Sequence, residues 1–134
     1  MTDEQKALAR RAVACVGFRW LPGMLALPSE GMMAVPVRLA DEHEWPHDIG
    51  LRVPDLRDPA TLGCLLALVR EAYGDPALYV RLSDTTRQSD GVRAWEVLGW
   101  LDSSRRPDGR GGSWRGWGYA SEAEALVAAL ESAP

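Results

Sequence analysis

Lysine is almost missing from this chain of 134 residues. Lys6 is the only one, so 14 of the 15 basic residues are Arg, the pattern of a GC-rich coding bias. Acidic residues number 19 and the net charge is −4, so the overall field repels DNA and long nucleic acid is excluded as the expected partner. No apolar run reaches the roughly 18 residues of a membrane span, which excludes a membrane partner. The opening MTDEQKALARR lacks the apolar core of a signal peptide, and its acids argue against a transit peptide. A cytoplasmic protein is the expectation. With only Cys15 and Cys64, neither a disulfide framework nor a cysteine metal site is expected, and both read as free thiols on apolar helix faces. There is no GxSxG and no GxxxxGK[ST], so neither a serine hydrolase elbow nor a P-loop is present.

What is present reads as one α+β domain over residues 1–134, an antiparallel sheet flanked by three helices. The strongest helix signal is Asp58–Gly74. Asp58 can cap it, Pro59 fits the first turn, and Gly74 can close it in a left-handed conformation. Leu62, Leu65, Leu66 and Val69 form its apolar stripe, while Thr61, Arg70 and Glu71 mark a wet side. A first helix opens with the capping box Thr2-x-x-Gln5, and a last one with Ser121-x-x-Glu124. Leu8, Ala12 and Cys15 face inward on the first, and Ala123, Leu126, Val127 and Leu130 on the last. Strands are expected near Phe18–Leu27, broken at Pro22-Gly23, and over Met32–Leu39 as an edge. Further strands are expected at Leu78–Leu82, at Val92–Leu101 with a bulge near Trp95–Glu96 or burial on both faces, and around Trp114–Tyr119. Ala40–Arg57 reads as an acidic surface loop.

The run LRDPATLGCLLALVREAYG, the strand Ala94-Trp95-Glu96-Val97 and the closing YASEAEALVAALESA resemble the phage ABA sandwich domain, a family of small phage-encoded proteins. The resemblance covers most of Leu56–Pro134. It implies an α/β/α-type sandwich, a phage origin and residence in the cytoplasm of an infected bacterial host. It carries no catalytic motif and implies no settled activity.

Two stretches invite chemistry. His43-Glu44-Trp45-Pro46-His47 is a literal HExxH, which binds zinc when a helix sets both His on one face. Pro46 forbids that helix and drives Trp45 toward extended angles, so the match reads as chance and no metal is expected. Ser103–Tyr119 is the sharper signal. Arg105, Arg106, Arg110 and Arg115 face a single acid, Asp108, and Trp114 and Trp117 interleave with them. Guanidinium groups pair with phosphate oxygens, indoles stack on bases, and glycines admit an anion to the backbone. Thr85, Thr86 and Arg87 would add hydroxyls and a cation if their loop folds beside it. The six Trp exceed what one small core needs, so some are expected on a ligand or at an interface. No nucleophile–base pair can be assembled.

The expected function is non-enzymatic and cofactor-free: sequestration of a small anionic nucleotide, as a sponge for an immune signal. The alternatives are an inhibitor that docks on a host defence protein through Ala40–Arg57, and a virion-assembly module. The edge strand Met32–Leu39 predicts a homodimer.

Overall fold

The computed structural model describes residues 1–83, 94–99 and 113–134, with Glu42 and residues 113–117 described by backbone alone, and among these residues three helices enclose two runs of three strands along the chain. Helix α1 spans Asp3–Ala14, α2 Pro59–Tyr73 and α3 Glu122–Glu131. The strands are β1 Leu25–Pro28, β2 Val37–Arg38, β3 Arg52–Pro54, β4 Tyr79–Leu82, β5 Trp95–Gly99 and β6 Ser113–Tyr119.

The helix ends follow their sequence signals. Thr2 and Gln5 form a reciprocal capping box. Asp58 accepts from the Thr61 N–H, Pro59 occupies the first turn, and Gly74 sits at φ 61°. Ser121 accepts from the Glu124 N–H, but the Glu124 carboxylate returns to the N–H of Ala120 rather than that of Ser121. The box is thus displaced by one residue.

The α+β class with antiparallel pairing holds, and the strands divide into two three-stranded sheets, ordered β2-β1-β3 and β4-β5-β6. The second is a plain meander. α3 is the hub of the packing: it touches α1, α2 and all three strands of the second sheet. α2 has the strongest sequence signal, but α3 is the element that the others share. All four residues expected on α3's inner face are buried, and so are Ala125 and Ala129, which is why it can serve several neighbours. The core joins Ala9 and Ala12 of α1 to Leu65, Leu68 and Val69 of α2, to Val97 of β5 and to Leu126 and Leu130 of α3. Trp20 and Trp95 pack against it.

Four local expectations need correction. Thr61 is completely buried, not wet. Its hydroxyl donates to Asp58 and accepts the N–H of Leu25, so it joins α2 to β1. The strand expected over Met32–Leu39 shrinks to Val37–Arg38, and Met33 and Val35 stand in solvent. Ala40–Arg57 is more than a surface loop, because it contains β3, whose residues are all buried. Arg52 explains why a charged residue could sit there. Its guanidinium is held by Asp48, at 2.8 and 3.2 Å, and donates to the carbonyl of Val35 at 2.7 Å. The Pro22-Gly23 turn is real, closed by the Met24 N–H on the Leu21 carbonyl, but Phe18–Leu21 forms no strand.

Candidate functional site

The chemistry-bearing residues in the second half of the chain collect on the second sheet, and its register determines which of them share a face. Alternate residues of a strand point to opposite faces, and directly opposed residues share one. Val80 lies opposite Val97, and both belong to the core side. Tyr79 opposite Leu98 and Arg81 opposite Glu96 therefore occupy the other face. On β6, Trp114 is registered with Leu98 and Trp117 with Glu96, so positions 114 and 117 belong to that face as well.

These two positions are three apart, a spacing that a regular strand would divide between faces. A register irregularity between Val97 and Leu98 leaves Arg115 without an opposite residue and restores the match. A second irregularity, between Trp95 and Glu96, leaves Gly118 unmatched, so the extra residue lies on β6 and not on β5, where the sequence predicts it. Gly118 has φ 89°, the left-handed backbone that a bulge demands and that only glycine adopts without strain. Both faces of β5 are closed to water, as its mixed apolar parity suggests.

On this face lies an ion pair whose acid is buried and whose base is half-exposed. The Arg81 Nε donates to the Glu96 carboxylate at 2.7 Å, with the Glu96 side chain 4% exposed and the Arg81 side chain 43%. Leu98 is buried beside them but stands outside the main core cluster. Sequence reading missed Arg81 and Glu96. Their signal was the alternation of the two strands, which sets position 81 opposite position 96 once the hairpin is placed.

The meander also fixes where the polar connections attach. The stretch carrying Thr85, Thr86 and Arg87 joins β4 to β5 and is closed by the Ser83 N–H on the Ala94 carbonyl. The stretch carrying Arg105, Arg106 and Arg110 begins after Gly99, at the opposite end of β5. All six residues, and Trp100, lie outside the described residues. Trp114, Arg115 and Trp117 are placed by register only.

The HExxH stretch forms a single 3-10 turn, Glu42–Glu44, capped by Asp41. Trp45 is extended at φ −67°, ψ 143°, as Pro46 requires. His43 and His47 are exposed, and among the described residues no group of three His, Cys, Asp or Glu is placed to hold a metal. Both cysteines are free and half-buried, and burial pushes both thiols up. Among the described residues no helix is long and apolar enough to cross a membrane. No protein-family model matches this chain, and neither a curated protein nor a solved structure matches it.

Proposed function

We propose that this chain is a phage-encoded, non-enzymatic accessory protein that binds and sequesters a small anionic nucleotide, and so blunts a host defence signal in the infected cell. The observation that carries the reading is the β5–β6 register. It gathers positions 114 and 117 on the face of Tyr79 and Arg81, on the strand that follows the Arg-rich stretch. Indole faces stack on bases, and guanidinium groups neutralise phosphates in pairs. Sequestration needs no nucleophile, base or metal. The phage origin rests on the family resemblance of the α2 and α3 sequences. The test is native mass spectrometry of the protein with mono-, di- and cyclic nucleotides. A retained ligand that is lost in an Arg110→Ala/Arg115→Ala variant of unchanged fold supports the reading. Retention by that variant removes the loop from the site.

A different observation favours a second reading, docking on a host defence protein. Met33, Val35 and Leu51 are exposed large apolar side chains. Their segments are tied together by the Ser29 hydroxyl on the Leu51 carbonyl and by Arg52 on the Val35 carbonyl. Asp41 and Glu44, in the same Ala40–Arg57 stretch as Leu51, are exposed too. Large apolar groups in solvent mark partner surfaces. Charge reversal at Asp41, Glu42 and Glu44 abolishes a pull-down under this reading and leaves nucleotide retention intact. Co-purification with phage particles instead would favour the virion-assembly alternative.

A further inference from the structure

Lys6, Arg10 and Val13 fall at i, i+4 and i+7 of α1, so they share one side of the helix. Arg10 and Val13 line an open groove of about 460 Å³, whose other wall carries Glu30 and Met32 after β1, and Gly50, Leu51 and Val53 around the start of β3. A smaller hollow adjoins it at Lys6. The far wall is fixed by the Ser29 hydroxyl, which donates to the Leu51 carbonyl. Val53 is buried, Val13 and Met32 are half-buried, and Leu51 stands 64% exposed at the rim. The charges along the groove are matched except one. Lys6 meets Glu30 at 2.5 Å, and Arg52 is held by Asp48. Arg10 is exposed and makes no ion pair or hydrogen bond through its side chain among the described residues. Glu30, the acid nearest to hand, is drawn down first by its bond to Lys6 and feels Arg10 only through space. The groove thus offers apolar surface and one unspent guanidinium, on a chain whose net charge is −4.

We propose that this groove docks a segment of a partner protein in which one carboxylate is flanked by large apolar side chains. The carboxylate would take paired N–H bonds from the Arg10 guanidinium, and the apolar side chains would cover Val13, Met32 and Leu51. A cationic segment would be repelled by Arg10, and a neutral one would gain the apolar contact alone. The source of the segment rests on the docking reading, whose exposed Leu51 forms the rim of the groove. The nucleotide reading concerns the second sheet and shares no residue with it.

The test titrates the full chain at low salt with the acetylated, amidated tripeptides Leu-Asp-Leu, Leu-Asn-Leu, Leu-Lys-Leu and Ala-Asp-Ala, read by backbone amide shifts at Val13, Gly50 and Val53. Leu-Asp-Leu is expected to bind saturably and about threefold more tightly than Leu-Asn-Leu, the scale of a solvent-accessible ion pair. Leu-Lys-Leu should bind more weakly than either, and Ala-Asp-Ala should not saturate. Arg10→Gln, which removes no bond within the protein, should lower Leu-Asp-Leu to the affinity of Leu-Asn-Leu. Gly50→Trp should abolish every shift, because position 50 lines the groove, has no heavy atom within 4 Å of an added Cβ and has no positive φ. Equal affinity for the Asp and Asn tripeptides, an Asp preference that survives Arg10→Gln, or no saturable shift with any tripeptide overturns the proposal. So do shifts that follow protein concentration alone, the mark of a second copy in the groove. A partner pull-down that survives Gly50→Trp overturns it too, while leaving the docking reading in place. Tripeptides that bind as expected, with no partner retained by the unaltered protein, support the groove and remove the docking reading.

Discussion

Arg38 and Asp58 meet in a two-pronged ion pair, at 2.5 and 2.8 Å, that ties the last residue of β2 to the cap of α2. The same carboxylate accepts the N–H and the hydroxyl of Thr61, which in turn accepts the N–H of Leu25. One acid thus links a helix to two strands. Asp58→Ala is expected to lower stability by about 2 kcal/mol, combining a lost cap with a buried Thr61 left short of a partner. Arg38→Ala should cost less, since its side chain is about half exposed. Urea denaturation of both variants measures the order.

Acid should unfold the protein through these carboxylates. Arg38 holds Asp58 far below the usual range, and Arg57, Arg52 and Arg11 hold Asp55, Asp48 and Glu131 down as well. A depressed native pKa gives stability that is complete above the unfolded value and is lost as pH falls through the native one. Stability should therefore be flat above about pH 5 and decline steadily below about pH 4. A melting series in low salt checks it, and Asp58→Asn should remove the largest part of the slope.

Arg81→Ala should be worse than the double change Arg81→Ala/Glu96→Gln. The single variant strands a carboxylate that is nearly inaccessible to water, at a cost of about 2 kcal/mol, whereas the double variant leaves a neutral amide. A double-mutant cycle by chemical denaturation gives the coupling. A cycle that closes at zero would show that the two side chains act separately.

Gly118→Ala isolates the backbone of the bulge. No atom lies within 4 Å of the Cβ it would add, so the whole cost arises from φ 89° and should be about 1 kcal/mol. Gly50→Ala, with equal space and no positive φ, is the control and should be near neutral. If both changes cost the same, the bulge geometry at Gly118 is not what glycine is there for.

The thiols should be slow to react. Burial is the first cause that raises both Cys15 and Cys64, so at pH 8 each is less ionised than a free cysteine. Labelling by a disulfide reagent is expected to be several-fold slower in buffer than in denaturant, for both residues.

The helices were legible because their ends are local events. Thr2, Asp58, Pro59 and Gly74 act on backbone groups within four residues, so a short window contains the whole cause. Alternation was an uneven guide to the strands: it located β4 within Leu78–Leu82, yet the longer alternation of Met32–Leu39 gave only Val37–Arg38, and β5 formed despite its mixed parity. β3 escaped because it opens on a charge, Arg52, that is tolerated by Asp48 nearby and by the Val35 carbonyl, which no short window reaches. Thr61 misled for the same reason: a hydroxyl reads as wet until Leu25 is known to lie above it. On the second sheet, the shared face of positions 114 and 117 depends on an unmatched Arg115, and a residue count alone assigns them to opposite sides. The Arg-rich and Thr-rich stretches were visible as composition, but their separation followed only from the meander.

That separation has an evolutionary reading. The two connections leave opposite ends of a five-residue strand, so neither one's attachment points belong to the other. Insertions or deletions in one leave the attachment points of the other unchanged. The strand is then a fixed divider between two independently variable regions, and a lineage under pressure to change its ligand could rewrite one while the hydrogen bonds of β4, β5 and β6 hold the other in place.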